Sequence, residues 1–264
     1  MAGLKTKRRE YKHAFRTLNV SKARVNSFRF TKARRRPPNS PKTKATFYKD
    51  IAVLAMPVGT ITNQKDVIDI SAFMQPNGKL SWQAPQGKWI IYRMGHAPTM
   101  ANPHPLPDDI IGKSLEVDKM SLEHNEFHWN QVLEPLKKHV GNYIGKSFKH
   151  ILIDSYEADM QNWTPTFRQE FKNRKGYDPL AWLLTFDRDK NGLGPIINNK
   201  NETDNFTQDF NEVVDQLFID NGWKVGKRMV QDAGLTLQFE PYTGPFSILR
   251  GTAVADLPMG EFWT

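Results

Sequence analysis

The stretch ILIDSYEADMQNWT, residues 151–164, sets the frame for the whole chain. Ile151, Leu152 and Ile153 form a short apolar run, which predicts a buried strand. That run passes directly into Asp154, Glu157 and Asp159, with Gln161, Asn162 and Trp163 behind them. Next, PTFRQEFKNRKG has helical character and is closed by Gly176. A strand that ends in carboxylates and is followed by a helix is one βα unit.

The same rhythm recurs on both sides. SLEVDKMS predicts a strand leading to Ser121 as helix N-cap, with LEHNEFHWNQVLEPLKKHV as the helix. A long helix is predicted over about Phe206 to Asp232, with Phe206, Phe210, Val213, Val214, Leu217 and Phe218 on one stripe and Gly234 after its end. LTLQFEPY predicts a strand, GPFSILRGT a short helix or turn, and ADLPMGEFW the start of a further strand. Repeated βα units predict an α/β fold with a parallel sheet and covering helices. Upstream the texture differs. Ile51 to Met56 are continuously apolar, as in a strand buried on both faces. VIDISAFM, GKLSWQAP and GKWIIYRMGHA are short runs separated by Asn77-Gly78 and Gln86-Gly87, which predicts a small antiparallel β module over residues 58–98.

The 264 residues suffice for one large domain, such as a single α/β barrel, or two small ones, and seven Trp with seven Tyr suit a large core first and sugar-binding clefts second. There is no Cys, so disulfides, thiolate zinc sites and cysteine nucleophiles are excluded. No apolar run approaches the roughly 20 residues of a membrane helix, and no apolar signal-peptide region opens the chain. The net charge of +9 is uneven: residues 1–50 hold 16 basic residues against Glu10 and Asp50, and the rest hold 21 basic against 26 acidic. Residues 1–44 therefore read as a basic, low-order tail.

Acids recur at the predicted strand ends: Glu116 and Asp118, Asp154 and Glu157, Glu240, and Glu261. In a βα barrel the C-terminal strand ends meet at one mouth, where a protonated carboxyl can donate to a leaving oxygen while a second carboxylate activates water. Any single acid of this kind more often caps a helix or pairs with a cation, and only the recurrence shifts the balance. Tyr156, Trp163, Tyr242, Phe262 and Trp263 lie beside these acids and suit platforms for apolar sugar faces. His124 and His128 in HNEFH lack the H-E-x-x-H order of zinc proteases, and His96 and His104 flank a proline-rich loop. Phosphate-loop and dinucleotide glycine motifs are absent.

The succession YKDIAVLAMP, GKWIIYRMGH, LEVDKMS, HWN, IDSYEADMQNWTPTFRQEFKNRKGYDP, FEPYTGPF and ADLPMGEFW resembles glycoside hydrolase family 106, the α-L-rhamnosidases, over about residues 37–264. The resemblance implies a partial (β/α)8 barrel over residues 45–264, with residues 58–98 as a β-rich insertion. It implies an inverting hydrolase that removes terminal α-L-rhamnose from glycans or glycosides, assisted by calcium and acting in the periplasm or outside the cell. On that pattern Glu157 is the general acid, at the fourth barrel strand. Asp154, Gln161, Asn162, Trp163, Glu116, Asp118, Glu240 and Tyr242 would surround the sugar. Glu261 and Asp256 would hold calcium, or else bond sugar hydroxyls or pair with cations such as Lys119. The family's base is implied on a later strand, in a motif like AEAFT beyond MGEFW, so this chain is expected to be an incomplete part of the catalytic region with little turnover of its own. Two alternatives stay open. One is a carbohydrate-binding remnant without chemistry; the other, ranked last, is nucleic-acid binding through the basic N-terminal segment, whose sign would be a steep salt dependence.

Overall fold

The computed structural model describes residues 48–59, 61–99, 115–158, 160–187, 192 and 194–260, with the backbone of two further strands, Asn19–Ser21 and Val25–Arg29. In chain order the strands are β1 (Asn19–Ser21), β2 (Val25–Arg29), β3 (Lys49–Pro57), β4 (Ile61–Thr62), β5 (Ile68–Asp69), β6 (Lys79–Gln83), β7 (Lys88–His96), β8 (His150–Ile153), β9 (Ile196–Ile197), β10 (Thr236–Phe239) and β11 (Leu257–Pro258). The helices are α1 (Leu122–Val140), α2 (Phe167–Lys175), α3 (Lys200–Leu217), α4 (Lys224–Asp232) and α5 (Ile248–Val254). A π-helical turn, Phe218–Trp223, joins α3 to α4.

The chain divides into two compact units. The first comprises residues 1–39, 45–98 and 180–203. Its main sheet runs β1-β7-β3-β5, and β3 pairs with both β7 and β5 antiparallel. The apolar run of β3 is therefore a central strand of this module, not a neighbour of the parallel strands. A strand flanked on both sides is apolar throughout whichever way its partners run, so the run alone could not distinguish the two. Its core packs Val53, Ala55, Ile70, Leu80, Trp82, Trp89 and Ile91, with the Trp82 and Trp89 rings edge to face at 5.6 Å. Within the segment expected to be a tail, β1 pairs with β7 and β2 pairs with β6, both antiparallel. Residues 19–21 and 25–29 thus form strands inside the segment expected to be a low-order tail, with partners far along the chain and charged runs on either side of them in the sequence.

The second unit comprises residues 40–44, 99–179 and 204–264. Its sheet is parallel, in the order β11-β10-β8, as the βα rhythm predicts. Ser121 caps α1, accepting from the His124 N–H at 3.3 Å. Gly176 ends α2 in the left-handed region at φ 79°, where its N–H still reaches the Lys172 carbonyl. The predicted stripe of α3 is buried throughout, from Phe206 to Leu217, and continues into Phe218. An aromatic core forms around it: Phe167, Phe171, Phe206 and Phe210 on one side, and Phe218, Trp223, Phe239 and Phe246 on the other. Residues 115–118, expected as a strand, form none; the Asp118 side chain takes up the Met120 N–H, which folds this segment into a turn before α1.

Candidate functional site

β8 and β10 lie in register from His150 opposite Thr236 to Ile153 opposite Phe239, so they finish at a common edge. The Glu240 N–H donates to the Ile153 carbonyl at 3.0 Å, and on the far side the Met259 N–H donates to the Phe239 carbonyl at 2.9 Å. At this edge the ladder stops and the chain turns outward, and Asp154, Glu157 and Glu240 follow directly. That is the edge at which open α/β sheets bind ligands.

A cavity of about 150 Å³ opens at the end of β8, lined by Glu116, Lys119, Asp154, Tyr156, Glu157 and Trp223 among others. It holds three carboxylates and one ammonium. Lys119 Nζ donates to Glu116 Oε1 at 2.7 Å, with the two side chains only 14% and 20% exposed. The same ammonium lies 5.6 Å from the centre of the Trp223 ring, within cation–π range. On α1, burial and the Lys119 charge hold the His128 imidazole below its usual value, with Glu116 pulling the other way, although part of the ring remains accessible.

The turn that carries Glu116 and Lys119 is fixed from three directions. Asp118 accepts from the Met120 N–H (3.0 Å), the Thr164 hydroxyl (2.7 Å) and the Gln161 amide (2.5 Å). Asn125, fully buried on α1, donates to the carbonyls of Asp118, Lys119 and Ser121. Asn221 in the π turn donates to the Met120 carbonyl at 2.9 Å. Gly222 completes the fit: a Cβ there would lie 2.9 Å from the Lys119 carbonyl oxygen.

Glu157 is held through its neighbour. Tyr156 is buried, its ring edge-on to Phe218 at 5.4 Å, and its N–H donates to the Tyr242 carbonyl at 3.3 Å. The Thr243 hydroxyl donates to the Tyr156 carbonyl. Thr243 has φ 66°, a left-handed conformation that a β-branched residue adopts only under constraint, and this bond is part of that constraint.

Of the residues singled out in the sequence, Glu157, Asp154 and Glu116 meet at one cavity. Asp118 and Gln161 are instead engaged with each other and with the backbone, which makes them supports of the Glu116 turn. Tyr156 is core and presents no open face as a platform, whereas Trp163 packs on Phe167 at 4.8 Å and is half-buried. Glu240 is only 8% exposed and accepts from the Tyr242 hydroxyl at 2.7 Å. Asn162 is half-buried. Glu261, Phe262 and Trp263 lie outside the described residues, as does His104.

Of the two acids named for calcium, Asp256 is taken up by the Leu237 N–H (2.8 Å), Gln231 (3.0 Å) and Lys227 (3.0 Å), and Glu261 lies outside the described residues. Among the described residues, no group of three His, Asp or Glu side chains is placed to hold a metal ion. A larger groove of about 690 Å³ is lined by Arg174, Asp220, Lys224, Lys227 and Arg250. Its cations are already paired: Arg174 and Lys224 with Asp220, Lys227 with Asp256, and Arg250 with Asp215. Size favours that groove, but the chemistry favours the smaller cavity, where carboxylates outnumber cations.

Lys119 and Trp223 were not singled out as functional in the sequence. Lys119 left a faint signal as the one cation among the acids of LEVDK. Trp223 left none, because in the middle of a long helical stretch an aromatic reads as core.

Comparison with known proteins shows the family. The family model described as alpha-L-rhamnosidase matches residues 10–264. The chain belongs to that glycoside hydrolase family. The match begins well before the residues that carried the resemblance in the sequence, and it takes in β1 and β2. A protein of Formosa agariphila named "Putative beta-glucuronidase" is 32% identical, over 85% of this chain and 21% of its own length. The rhamnosidase from Novosphingobium sp. PP1Y has a similar fold, with a TM-score of 0.60 and 22% identity over 74% of this chain and 19% of its own. The chain thus spans about a fifth of the length of either. Among the described residues, no helix of this family member is long and apolar enough to cross a membrane.

Proposed function

We propose that this chain carries the proton-donor half of an inverting α-L-rhamnosidase site, with the three parallel strands forming part of a (β/α)8 barrel. The observation that carries this is the meeting of Glu157, Asp154 and Glu116 in one cavity at the C-terminal edge of the parallel sheet. Glu157 donates its proton to the glycosidic oxygen as the bond to the anomeric carbon breaks, and the aglycone leaves neutral. Asp154 and Glu116 accept hydrogen bonds from the sugar hydroxyls, and Lys119 holds Glu116 in place. The family pattern puts the second carboxylate, which removes a proton from the attacking water, on a later strand. At about 150 Å³ the cavity is well below the roughly 300–1,000 Å³ of drug-sized sites, a size for one ring and not for a chain of them.

The name of the Formosa relative raises a uronic acid as the competing substrate. The charges favour a neutral sugar. Among the described residues, the one ammonium lining the cavity is already paired with Glu116, and a substrate carboxylate would meet Asp154 and Glu157 with no further cation from those residues. Terminal α-L-rhamnose has no such charge.

The test is hydrolysis of aryl α-L-rhamnosides by this chain joined to the C-terminal portion of a rhamnosidase relative. Glu157→Gln is expected to lower kcat/KM by about 10²–10⁴-fold for a phenyl leaving group and far less for a dinitrophenyl one, which needs little protonation. Equal losses for both would remove Glu157 from the role of acid.

A further inference from the structure

Among the described residues, one ammonium shares the cavity with three carboxylates, and a flexible four-carbon stem does not by itself choose among them. Lys119 nevertheless bonds Glu116, at 2.7 Å, with only 14% of its side chain exposed. Burial to this degree removes most of the ion's hydration, which a single bond between the two charges offsets poorly. The second neighbour of the ammonium is the Trp223 ring, whose centre lies 5.6 Å away. A ring face attracts a cation most strongly when both are withdrawn from water, and Trp223 is only 3% exposed. The ring is itself clamped by Phe239 at 4.6 Å, Phe246 at 5.5 Å and Tyr156 at 6.4 Å. It ends the π turn Phe218–Trp223, an element uncommon in helices and frequent at functional sites. The Asn221 amide on the Met120 carbonyl and the close approach of Gly222 to the Lys119 carbonyl tie that turn to the segment that carries Glu116 and Lys119.

We infer that Trp223 is a positioning residue for the sugar site: its ring face holds the Lys119 ammonium on Glu116, so that Glu116 meets a sugar hydroxyl as a fixed, ionised acceptor. The inference rests on the carbohydrate-binding reading of this cavity and adds to it a residue that acts without touching the sugar. Where the single cation sits decides which carboxylates face the ligand alone, and with Lys119 kept on Glu116 those are Asp154 and Glu157. The indole suits the task because it is the aromatic face that attracts a cation best, whereas an aliphatic side chain would fill the space without fixing the charge.

The experiment is a double-mutant cycle on the 264-residue chain, read by calorimetry with methyl α-L-rhamnopyranoside. Trp223→Leu is expected to weaken binding about threefold to tenfold, the scale of a buried cation–π contact, and Trp223→Phe by a smaller factor, because a phenyl face attracts a cation less than an indole does. In a Lys119→Met background no cation remains to be held, so the same substitutions should change affinity less than about twofold. A residue that merely filled space would cost the same in both backgrounds. If Trp223→Leu does not fold, Trp223→Phe completes the cycle. Proton–carbon NMR reads the contact without ligand: the Lys119 Cε protons, identified by their loss in Lys119→Met, are expected upfield of the other lysines because the ring face shields them. Equal losses of affinity with and without the Lys119 cation, or an unshifted Lys119 signal, would overturn this inference and leave the functional reading intact. No binding of the rhamnoside by the unmodified chain would overturn both.

Discussion

Asp118 should behave as a structural anchor and not as a sugar ligand, and two substitutions distinguish these roles. Its carboxylate accepts from the Met120 N–H, the Thr164 hydroxyl and the Gln161 amide. Met120 and Thr164 are at most 1% exposed, so Asp118→Ala would leave two buried donors without acceptors. Each costs about 1–3 kcal/mol, and the loss of bonds to a charged acceptor falls in the same range, so the total is about 3–5 kcal/mol once overlap is allowed for. Asp118→Asn keeps one oxygen for Met120 and Gln161 and presents its amide to Thr164, whose hydroxyl can turn and accept. Its cost is therefore about 1–2 kcal/mol. For a chain of this size the alanine variant should melt about 10 °C lower, and the asparagine variant a few degrees lower. Urea unfolding followed by circular dichroism measures both, and rhamnoside affinity of Asp118→Asn should stay within about twofold of the unmodified chain. A destabilisation by alanine below about 1 kcal/mol would refute the network. A large loss of affinity in a stably folded Asp118→Asn would return Asp118 to the sugar.

Two further outcomes follow from the same geometry. Gly222→Ala sets a Cβ 2.9 Å from the Lys119 carbonyl oxygen, a backbone atom with little freedom to yield, so the variant should lose about 1–3 kcal/mol and bind rhamnoside more weakly; unchanged values of both would show that the π turn is not seated as described. For Asp256, burial acts to raise the carboxyl, but the Leu237 N–H, Lys227 and Gln231 outweigh it and hold it below the usual value of 3.8. Its contribution to stability is therefore complete above about pH 4 and is lost as the pH falls through the depressed folded value. Asp256→Asn should be less stable near neutrality and show a flatter loss as the pH falls below about 4 in denaturant titrations; an unchanged acid slope would contradict the assignment.

The parallel part of the fold was legible because its signals are local. Ile151–Ile153 and the run around Leu237 carry strand patterns, Ser121 and Gly176 punctuate helices, and the α3 stripe repeats with helical period. Leu115–Asp118 misled because an apolar-acidic alternation resembles a strand end, and only the three-dimensional partners of Asp118 reveal a turn. β1 and β2 were hidden for a different reason: their pairing energy lies in distant strands, β7 and β6, and leaves no mark on two short segments set among charged runs. At the site, the acids that follow β8 showed in the sequence, since a strand ending in carboxylates is unusual. Trp223 did not, because its place at the cavity wall is set by the π turn and its contacts, not by residue type.

The most direct test of the central claim is a crystal structure of this chain with methyl α-L-rhamnopyranoside bound. The account predicts one sugar ring in the cavity between Glu116, Asp154 and Trp223, with a Glu157 carboxyl oxygen about 2.6–3.2 Å from the glycosidic oxygen. A sugar bound in the groove lined by Arg174 and Arg250, or bound in the cavity with Glu157 turned away from that oxygen, would contradict it.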